Sequence, residues 1–167
     1  MMDAPQRTLR VRTADLRGTD AAPFAALVQA YLNQTEREKE AHFGEPPAGQ
    51  RLPERYREEV ENPARAYAGA IALLAELDGI GVGVAVVQHL EAADELKRLW
   101  VDPGARGLKV GTALMDAALR VARRPVRLTV WDWRADAIAL YCKRGFVEVP
   151  SWDQRDRLLC FEHSRAV

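Results

Sequence analysis

Two apolar runs that flank Asp78-Gly79, within residues 68–90, constrain the fold of this chain more than any other feature. Asp-Gly suits the two positive φ angles of a type I′ turn, which joins adjacent antiparallel strands. The two runs are therefore predicted to form a hairpin. The stretch EAAD then marks another turn, and ELKRLWV, residues 95–101, is predicted as a third strand. The sequence thus predicts a three-stranded antiparallel meander.

Helices and further strands are predicted on both sides of this meander. Before it, the pattern predicts a strand at 7–14, a helix from about residue 21, a loop at 44–50 and a helix at 52–62. After it, the pattern predicts a helix at about 107–122, a strand at 125–131, a helix at 134–145 capped by Gly145, and strands at 146–149 and 156–163. The order is β-α-α-β-β-β-α-β-α-β-β. We expect one α+β domain, residues 1–167.

Composition and charge argue against several classes of protein. The 167 residues include 24 basic and 24 acidic side chains, whereas nucleic-acid binders usually show a basic excess. The sequence has no run of about 18 apolar residues to span a membrane, and its start, MMDAPQRTLRV, has no apolar core of a signal peptide. Cys142 and Cys160 lack metal-ligand spacing. We therefore expect unbridged structural thiols, no metal and a reduced, cytoplasmic setting.

The glycines at 79, 81 and 83 do not predict a dinucleotide-binding turn. Their spacing is G-x-G-x-G, and such a turn needs a helix directly after the glycines, where this sequence continues as a strand. The glycines are therefore assigned to the hairpin. Gly83 is expected to allow the close approach of a ligand or of another backbone segment.

The stretch VDPGARGLKVGTALMDAALR, residues 101–120, raises the prospect of an anion site. A strand ends, a bend follows, and a helix begins. The first N–H groups of a helix lack internal partners and lie at the positive end of the helix dipole, so they suit a pyrophosphate. Gly107 and Gly111 remove side chains where a phosphate would approach, and Arg106 adds charge. The stretch does not match a Walker A loop, and an ordinary turn is the alternative.

A second segment, VWDWRADAIALYCKRGF at residues 130–146, joins a strand end to a short helix that carries Tyr141. Taken alone, Tyr141 is a core aromatic residue. Taken together, the two segments resemble the GNAT superfamily of N-acetyltransferases. LWVDPGARGLKVGTAL, residues 99–114, is similar to its signature [Q/R]-x-x-G-x-[G/A], and AIALYCKRGF, residues 137–146, is similar to its motif A-x-x-L-Y-x-K-x-G-F. The resemblance covers essentially the whole chain. It implies a GNAT-like mixed sheet, mostly antiparallel, of about seven strands with helices on both faces.

The sequence departs from the family pattern at two positions. Lys109 stands where the signature has its first glycine, and as a helical residue it is expected to need no positive φ. Arg134 stands where the family often has asparagine. These departures favour an alternative function, in which a GNAT-like domain binds acyl-CoA as a sensor or as a pseudo-enzyme.

The resemblance implies that the chain moves an acetyl group from acetyl-CoA to a primary amine by direct attack. It implies Tyr141 as the general acid and Glu95 as the base. His89, at the end of the preceding strand, is the next candidate for the base, and an exposed turn residue is the alternative for it. Packing for Tyr141 and a solvated strand end for Glu95 are the alternatives. The implied contacts to acetyl-CoA are the backbone of Leu99, Trp100 and Val101, the loop residues Arg106, Gly107, Leu108, Lys109, Val110, Gly111 and Thr112, and the side chains of Arg134 and Tyr141.

The acceptor is expected to be a small-molecule or peptide amine. No nucleic-acid or membrane partner is expected, and a homodimer is left open. The acceptor site is expected between the first two helices and the last strands, which offer Tyr31, Glu36, Glu38, Glu40, His42, Tyr56, Trp131, Trp133 and Trp152.

Overall fold

The computed structural model describes residues 5–44 and 52–164. Most of the loop expected at 44–50, and the first residues of the N-terminal stretch, lie outside these ranges. Seven strands form one sheet in the order β1-β2-β3-β4-β5-β7-β6. The strands are β1 Leu9–Thr13, β2 Ile71–Leu77, β3 Ile80–His89, β4 Asp94–Val101, β5 Val126–Trp131, β6 Val147–Val149 and β7 Leu158–His163. The β4–β5 pair is parallel and the other neighbours are antiparallel, so the expected mixed sheet is confirmed.

Five helices flank the sheet in the described residues: α1 Ala21–Phe43, α2 Glu54–Glu61, α3 Pro63–Ala66, α4 Val110–Val121 and α5 Ala135–Lys143. The prediction missed α3, because Asn62-Pro63 was taken as the end of α2. Instead, the Asn62 side chain accepts a hydrogen bond from the N–H of Arg65 at 3.3 Å, and Pro63 fits the first helical turn. None of the helices in the described ranges is both long and apolar enough to cross a membrane.

The β2–β3 hairpin forms as the sequence predicts. Asp78 has a φ of 53° and Gly79 a φ of 82°, which are the two left-handed residues of a type I′ turn. Asp78 also connects the start of β1 to the hairpin, because its carboxylate accepts a hydrogen bond from the N–H of Thr8 at 2.8 Å. The turn therefore sets the register of three strands.

Apolar side chains pack on both faces of the sheet, in two clusters. On one face, Leu73, Val87 and Leu96 pack with Leu114 and Met115 of α4. On the other face, Leu74, Val86 and Trp100 pack with Phe24 and Leu32 of α1. Neighbouring strand residues fall in different clusters because successive side chains point to opposite faces. Helices therefore cover both faces, as expected.

The two halves of the sheet separate in the middle. β4 and β5 pair in parallel at Asp94–Val126 and Glu95–Arg127, and then diverge. A bulge in β4 accompanies the divergence: the four residues from Lys97 to Trp100 oppose the three from Val84 to Val86, and Arg98 has a φ of 58°. The far edge of β4 beyond Glu95 therefore opens toward the gap between the strands.

Gly83 of β3 allows helix α4 to approach the sheet closely. A Cβ at this position would lie 2.9 Å from Leu114 Cδ1 and 3.0 Å from the carbonyl oxygen of Trp100. Any larger residue would push on the helix or on the β4 backbone. The expected close approach of another segment is thus realised by α4 and β4.

Candidate active site

A cavity of about 980 Å³ occupies the gap between β4 and β5. Its walls come from α1, the start of α2, β4, the bend before α4, β5 and the start of α5. The segments that carry the two sequence motifs, which are about 30 residues apart in the chain, therefore contribute to one cavity. Leu108 of the first motif is not among the residues that line it and is 39% exposed.

The bend before α4 contains two left-handed residues. Gly107 has a φ of 81° and Lys109 a φ of 63°. The expectation that Lys109 needs no positive φ, as part of a helix starting near Gly107, is therefore wrong. Left-handed residues do not propagate a right-handed helix, so α4 begins at Val110 and Lys109 is its N-cap. Lysine carries a steric cost at this φ that glycine would avoid.

The start of α4 presents amides to the cavity. The N–H of Ala113 bonds to the carbonyl of Lys109 at 3.0 Å, so the N–H groups of Val110, Gly111 and Thr112 precede the first intrahelical bond. These three residues line the cavity together with Gly107 and Lys109. A Cβ at Gly107 would have no atom within 4 Å, so the approach to the bend is open. This geometry suits an anion.

Arg106 lies beside this helix start. Its guanidinium carbon is 4.8 Å from the centre of the Trp100 ring, and its Nε donates to the carbonyl of Val101 at 3.3 Å. These contacts hold the arginine against the end of β4. No carboxylate lies within ion-pair distance of Arg106 among the residues that the structure describes. Its charge is therefore available to an anion.

Trp100 and Val101 of β4 pair with β3 along one edge of the strand, and the segment Leu99–Val101 lines the cavity along the other. Trp100 lies opposite Val84, and Val101 lies opposite Gly83. Because β5 has diverged at this point, the second edge is available for an extended ligand, which would hydrogen-bond as an added strand does. The divergence of two parallel strands is the feature that creates this edge.

Tyr141 is buried in the wall of the cavity, with 7% of the residue exposed. Its ring centre is 5.9 Å from that of Phe146 and 6.4 Å from that of Phe161. Burial raises the pKa of Tyr141 well above its usual value, and the nearby Tyr31 raises it further, against the opposing charge of Arg134. The phenol therefore keeps its proton at neutral pH.

The two candidates for the base lie in different places. Glu95 lines the cavity where β4 and β5 begin to diverge. His89 is not among the lining residues, and its Nδ1 is 2.8 Å from Oδ1 of Asp94. Asp94 is fully buried and also accepts from the N–H groups of Arg123 and Arg124. His89 is thus part of a structural network, and Glu95 is the candidate that faces the cavity.

Asp94 is a structural residue that the sequence interpretation missed, because it assigned EAAD to a turn. Burial alone would raise the pKa of Asp94, but hydrogen bonds from the N–H of Arg123, from His89 and from the N–H of Arg124 outweigh it and lower the pKa. The carboxylate ties the β3–β4 turn to the segment between α4 and β5. A turn aspartate has no sequence signal that distinguishes this role.

Arg134 is engaged with helix α1. Its Nη2 lies 2.7 Å from Oε2 of Glu38 and donates to Thr35 Oγ1 at 2.8 Å. Burial would raise the pKa of Glu38, but hydrogen bonds from Gln34, Arg134 and Trp133 outweigh it and lower the pKa. The expectation of an Arg134 contact to acetyl-CoA stays a prediction. The structure provides the arginine with protein partners.

Aromatic rings form the wall at the end of α1. Trp133 stacks between His42, with ring centres 4.2 Å apart, and Trp131, with ring centres 4.9 Å apart. Of the residues expected around the acceptor, Tyr31, Glu38, Tyr56, Trp131 and Trp133 line the cavity, and Glu36, Glu40, His42 and Trp152 are not among its lining residues. The described residues contain no cluster of three potential metal ligands, and both cysteines are free.

Comparisons with known proteins agree with this geometry. A family model described as "Acetyltransferase (GNAT) domain" matches residues 68–148, a range that includes both motif segments. The curated proteins include no significant sequence match. Among solved structures, the chain is similar to a GNAT-family acetyltransferase from Staphylococcus aureus Mu50, at 17% identity and a TM-score of 0.69, over 94% of this chain and 99% of that chain.

Two further solved structures contain a bound cofactor. PaiA N-acetyltransferase from Thermoplasma acidophilum, in complex with coenzyme A, is 18% identical with a TM-score of 0.66, over 95% of this chain and 99% of that chain. YncA from Salmonella typhimurium, with its cofactor acetyl-CoA, is 19% identical with a TM-score of 0.64, over 93% of each chain. At these identities the likeness is one of fold.

Proposed function

Because the chain belongs to the GNAT superfamily of acetyltransferases, we propose that it transfers an acetyl group from acetyl-CoA to a primary amine. One observation carries the proposal. The open edge of β4, the free amides at the start of α4 and the phenol-bearing Tyr141 all line one cavity. Each element meets a separate requirement of a thioester substrate that carries a pyrophosphate.

The residues present fit acetyl-CoA. The amides of Val110, Gly111 and Thr112 bind the pyrophosphate, and Arg106 and Lys109 add positive charge beside it. The backbone at Leu99, Trp100 and Val101 bonds the pantetheine arm along the open edge of β4. The bound cofactor in the PaiA and YncA structures supports acetyl-CoA as the co-substrate.

Glu95 supplies the first requirement of the chemistry, which is a neutral amine. An alkyl amine with a pKa near 10.4 is neutral at pH 7 in about one molecule in 10³, a deficit of roughly 4–5 kcal/mol. The Glu95 carboxylate takes the ammonium proton, directly or through water. The amine nitrogen then forms a bond to the acetyl carbonyl carbon and loses a second proton as the bond from that carbon to sulfur breaks. Of the two protons lost by the nitrogen, one is balanced by the proton that ends on sulfur and the other is released.

Tyr141 supplies the second requirement, a hydrogen bond or proton for the departing sulfur. Because the pKa of Tyr141 is raised by burial, the phenol is protonated at every pH at which the enzyme is expected to work. A thiol with a pKa near 8.5 leaves fairly easily as the thiolate, so the acid's share of the rate is modest. The products are the N-acetyl amine, the CoA thiol and one released proton.

Acetyl-CoA binding tests the first half of the proposal. At a hundred times its dissociation constant, acetyl-CoA is expected to raise the melting temperature by about 5–10 °C, because it binds the folded state. Arg106→Glu is expected to reduce that rise by placing a negative charge beside phosphate. Arg120→Glu is the matched control, because Arg120 is exposed on α4 and does not line the cavity. Equal rises in all three proteins would remove the phosphate role from Arg106.

Thiol release tests the second half. Steady-state release of CoA thiol with a panel of primary amines separates a transferase from an acyl-CoA sensor. We expect amine-dependent turnover and an N-acetyl product detectable by mass spectrometry. A protein that binds acetyl-CoA but releases thiol at the same slow rate with and without every amine would be a sensor.

A further inference from the structure

The charges around the cavity are strongly unequal. Eight basic and three acidic side chains line it. Four of the basic side chains have carboxylate partners: Lys39 with Glu36 at 3.0 Å, Arg98 with Glu59 at 2.9 Å, Arg134 with Glu38 at 2.7 Å, and Arg155 with Asp153 at 2.8 Å. The remaining four are Arg55, Lys97, Arg106 and Lys109, which have no such partner among the described residues.

Two of these four are accounted for by the proposed cofactor site. Arg106 and Lys109 lie at the start of α4, beside the free amides. Lys97 lies on β4, separated from Val101 by roughly 13 Å of strand at about 3.3 Å per residue. Arg55 lies at the start of α2. Lys97 and Arg55 are therefore on separate elements from the phosphate site.

Lys97 and Glu95 face the side of the sheet on which α1 and α2 pack. Leu96, between them, packs in the cluster that contains α4. The alternation breaks only after Lys97, at the bulge around Arg98, and Trp100 therefore packs in the cluster that contains α1. Side chains alternate between the two faces along a strand, so Glu95 and Lys97 lie on the α1 face. Both line the cavity on that face. The wall between α1, α2 and β5 thus contains a carboxylate and an ammonium two residues apart.

Few carboxylates remain for a purely cationic acceptor. Glu38 forms an ion pair with Arg134, and Glu59 binds Arg98 through both carboxylate oxygens at 2.9 Å. Asp136 lies in the first turn of α5, where the helix dipole already favours a negative charge. Glu95 is the third acidic lining residue. A polyamine would meet two carboxylates without ion-pair partners among the described residues, Glu95 and the exposed Asp136, together with the unpaired charges of Lys97 and Arg55.

Resting on the proposed acetyl transfer, we propose that the acceptor is an amine that also carries an oxyanion, a carboxylate or a phosphate. Lys97 binds the oxyanion, Arg55 adds charge at the rim, and Glu95 faces the amine. The rings of Tyr31, Tyr56 and Trp131 line the space for the carbon skeleton. The oxyanion of the acceptor then lies beside Lys97 and its amine beside Glu95, and these two contacts fix the orientation of the amine.

Matched pairs of amines test this substrate class. Lysine against cadaverine and tryptophan against tryptamine differ by a carboxylate, and glucosamine 6-phosphate against glucosamine differs by a phosphate. With saturating acetyl-CoA, the oxyanion member of at least one pair is expected to have a kcat/KM higher by about tenfold or more, the range of one charge-assisted hydrogen bond. A preference confined to the third pair identifies the oxyanion as phosphate. A preference confined to the first two identifies it as carboxylate.

Lys97 variants connect the preference to the site. Lys97→Gln is expected to abolish the preference through a higher KM for the oxyanion member, with little change for its partner, and Lys97→Arg is expected to restore part of it. Arg120→Gln removes the same charge from an exposed position on α4 and is expected to leave the preference intact. An equal loss on both members of a pair in Lys97→Gln would contradict oxyanion binding by Lys97.

Two results would overturn the proposal. One is that, in every pair, the member without the oxyanion is acetylated with a kcat/KM equal to or higher than that of the oxyanion member. This result would contradict the substrate class but would still support acetyl transfer. The other is turnover of none of the six amines, together with calorimetry on the CoA-loaded protein that detects no tighter binding of any oxyanion member. Failure of the proposed function is distinguished by a separate measurement, namely the absence of any rise in melting temperature with acetyl-CoA.

Discussion

Glu38 of α1 and Arg134 at the start of α5 form an ion pair, with 2.7 Å between Oε2 and Nη2, that bridges the two halves of the divided sheet. Helix α1 packs on β3 and β4, whereas α5 follows β5. The N–H of Trp133 also donates to Glu38, at 3.3 Å. The cavity is thus closed at this end by contacts between side chains rather than by the sheet.

Arg134→Gln is expected to lower the free energy of unfolding by about 1–3 kcal/mol, because it leaves a half-buried Glu38 carboxylate without its ion partner. The KM for the acceptor amine is expected to rise more than the KM for acetyl-CoA, since α1 is part of the proposed acceptor wall. Urea denaturation and steady-state kinetics check both. Glu36→Gln is the control, because it breaks an ion pair within α1 alone. A similar loss of unfolding free energy in the two variants would mean that the contact between the two halves of the sheet contributes nothing beyond an ordinary ion pair.

Tyr141→Phe keeps the packing against Phe146 and Phe161 and removes the hydroxyl. In an assay where chemistry limits the rate, kcat is expected to fall by roughly 10²-fold, the low end for a general acid, with little change in the KM for acetyl-CoA. Cys142→Ser, at an exposed position of the same helix, is the control. A Tyr141→Phe enzyme with wild-type kcat would reduce Tyr141 to a packing residue.

Lys109→Gly is expected to make the protein more stable and its cofactor site weaker. A non-glycine residue at a φ of 63° destabilises the folded state by about 1–2 kcal/mol. Glycine removes this strain, but its larger conformational entropy in the unfolded state offsets part of the benefit. The free energy of unfolding is therefore expected to rise by about 0.5–1 kcal/mol. Loss of the ammonium is expected to raise the dissociation constant of acetyl-CoA. Leu108→Gly, at a neighbouring residue without positive φ, is expected to destabilise. Tighter acetyl-CoA binding by Lys109→Gly would mean that the lysine crowds the bend.

Gly83→Ala is expected to destabilise by about 1–3 kcal/mol, because the new Cβ would lie 2.9 Å from Leu114 Cδ1 and 3.0 Å from the carbonyl of Trp100. Because Trp100 is also at the open edge of β4, weaker acetyl-CoA binding is expected to accompany the loss. Gly81→Ala is the matched control on the same strand, where the nearest atom, Leu74 Cδ1, is 3.3 Å away and belongs to a side chain. Thermal unfolding with and without acetyl-CoA measures both effects, and equal behaviour of the two variants would contradict the prediction.

Acid stability is expected to depend on Asp20. Hydrogen bonds from Arg12, and then from the N–H of Asp15, lower the pKa of Asp20 from 3.8 to about 2. A lowered folded-state pKa contributes stability that is present above about pH 4 and is lost as pH falls toward 2. Asp20→Asn is therefore expected to be less stable than wild type at pH 7 and to approach it near pH 2. Glu91→Gln, at an exposed position, is the control in the pH series of melting temperatures. A stability difference that is unchanged at pH 2 would contradict this linkage.

Local chemistry was sufficient to predict much of the fold. Asp78-Gly79 predicts its turn because two adjacent left-handed angles favour those residue types, and the hairpin follows from that pair together with the apolar runs on either side of it. The strand–bend–helix at residues 101–120 and the helix ended by Gly145, whose φ is 90°, are likewise short-range features. These elements could be predicted because each depends on neighbours within a few positions along the chain.

The tertiary structure decided the features that join distant residues. The left-handed Lys109 violates the local preference of lysine, so the sequence predicted a helix start three residues too early. Arg134 and Glu38 are 96 positions apart, and nothing in either segment indicates their pairing. Asp94, fully buried, similarly reaches amides about 30 positions away. The sequence therefore determined most of the elements that form, because these depend on local angles and periodicity. The packing of α1 across the divided sheet determined which charges are neutralised and which remain for a ligand, because electrostatic partners are chosen by distance in space.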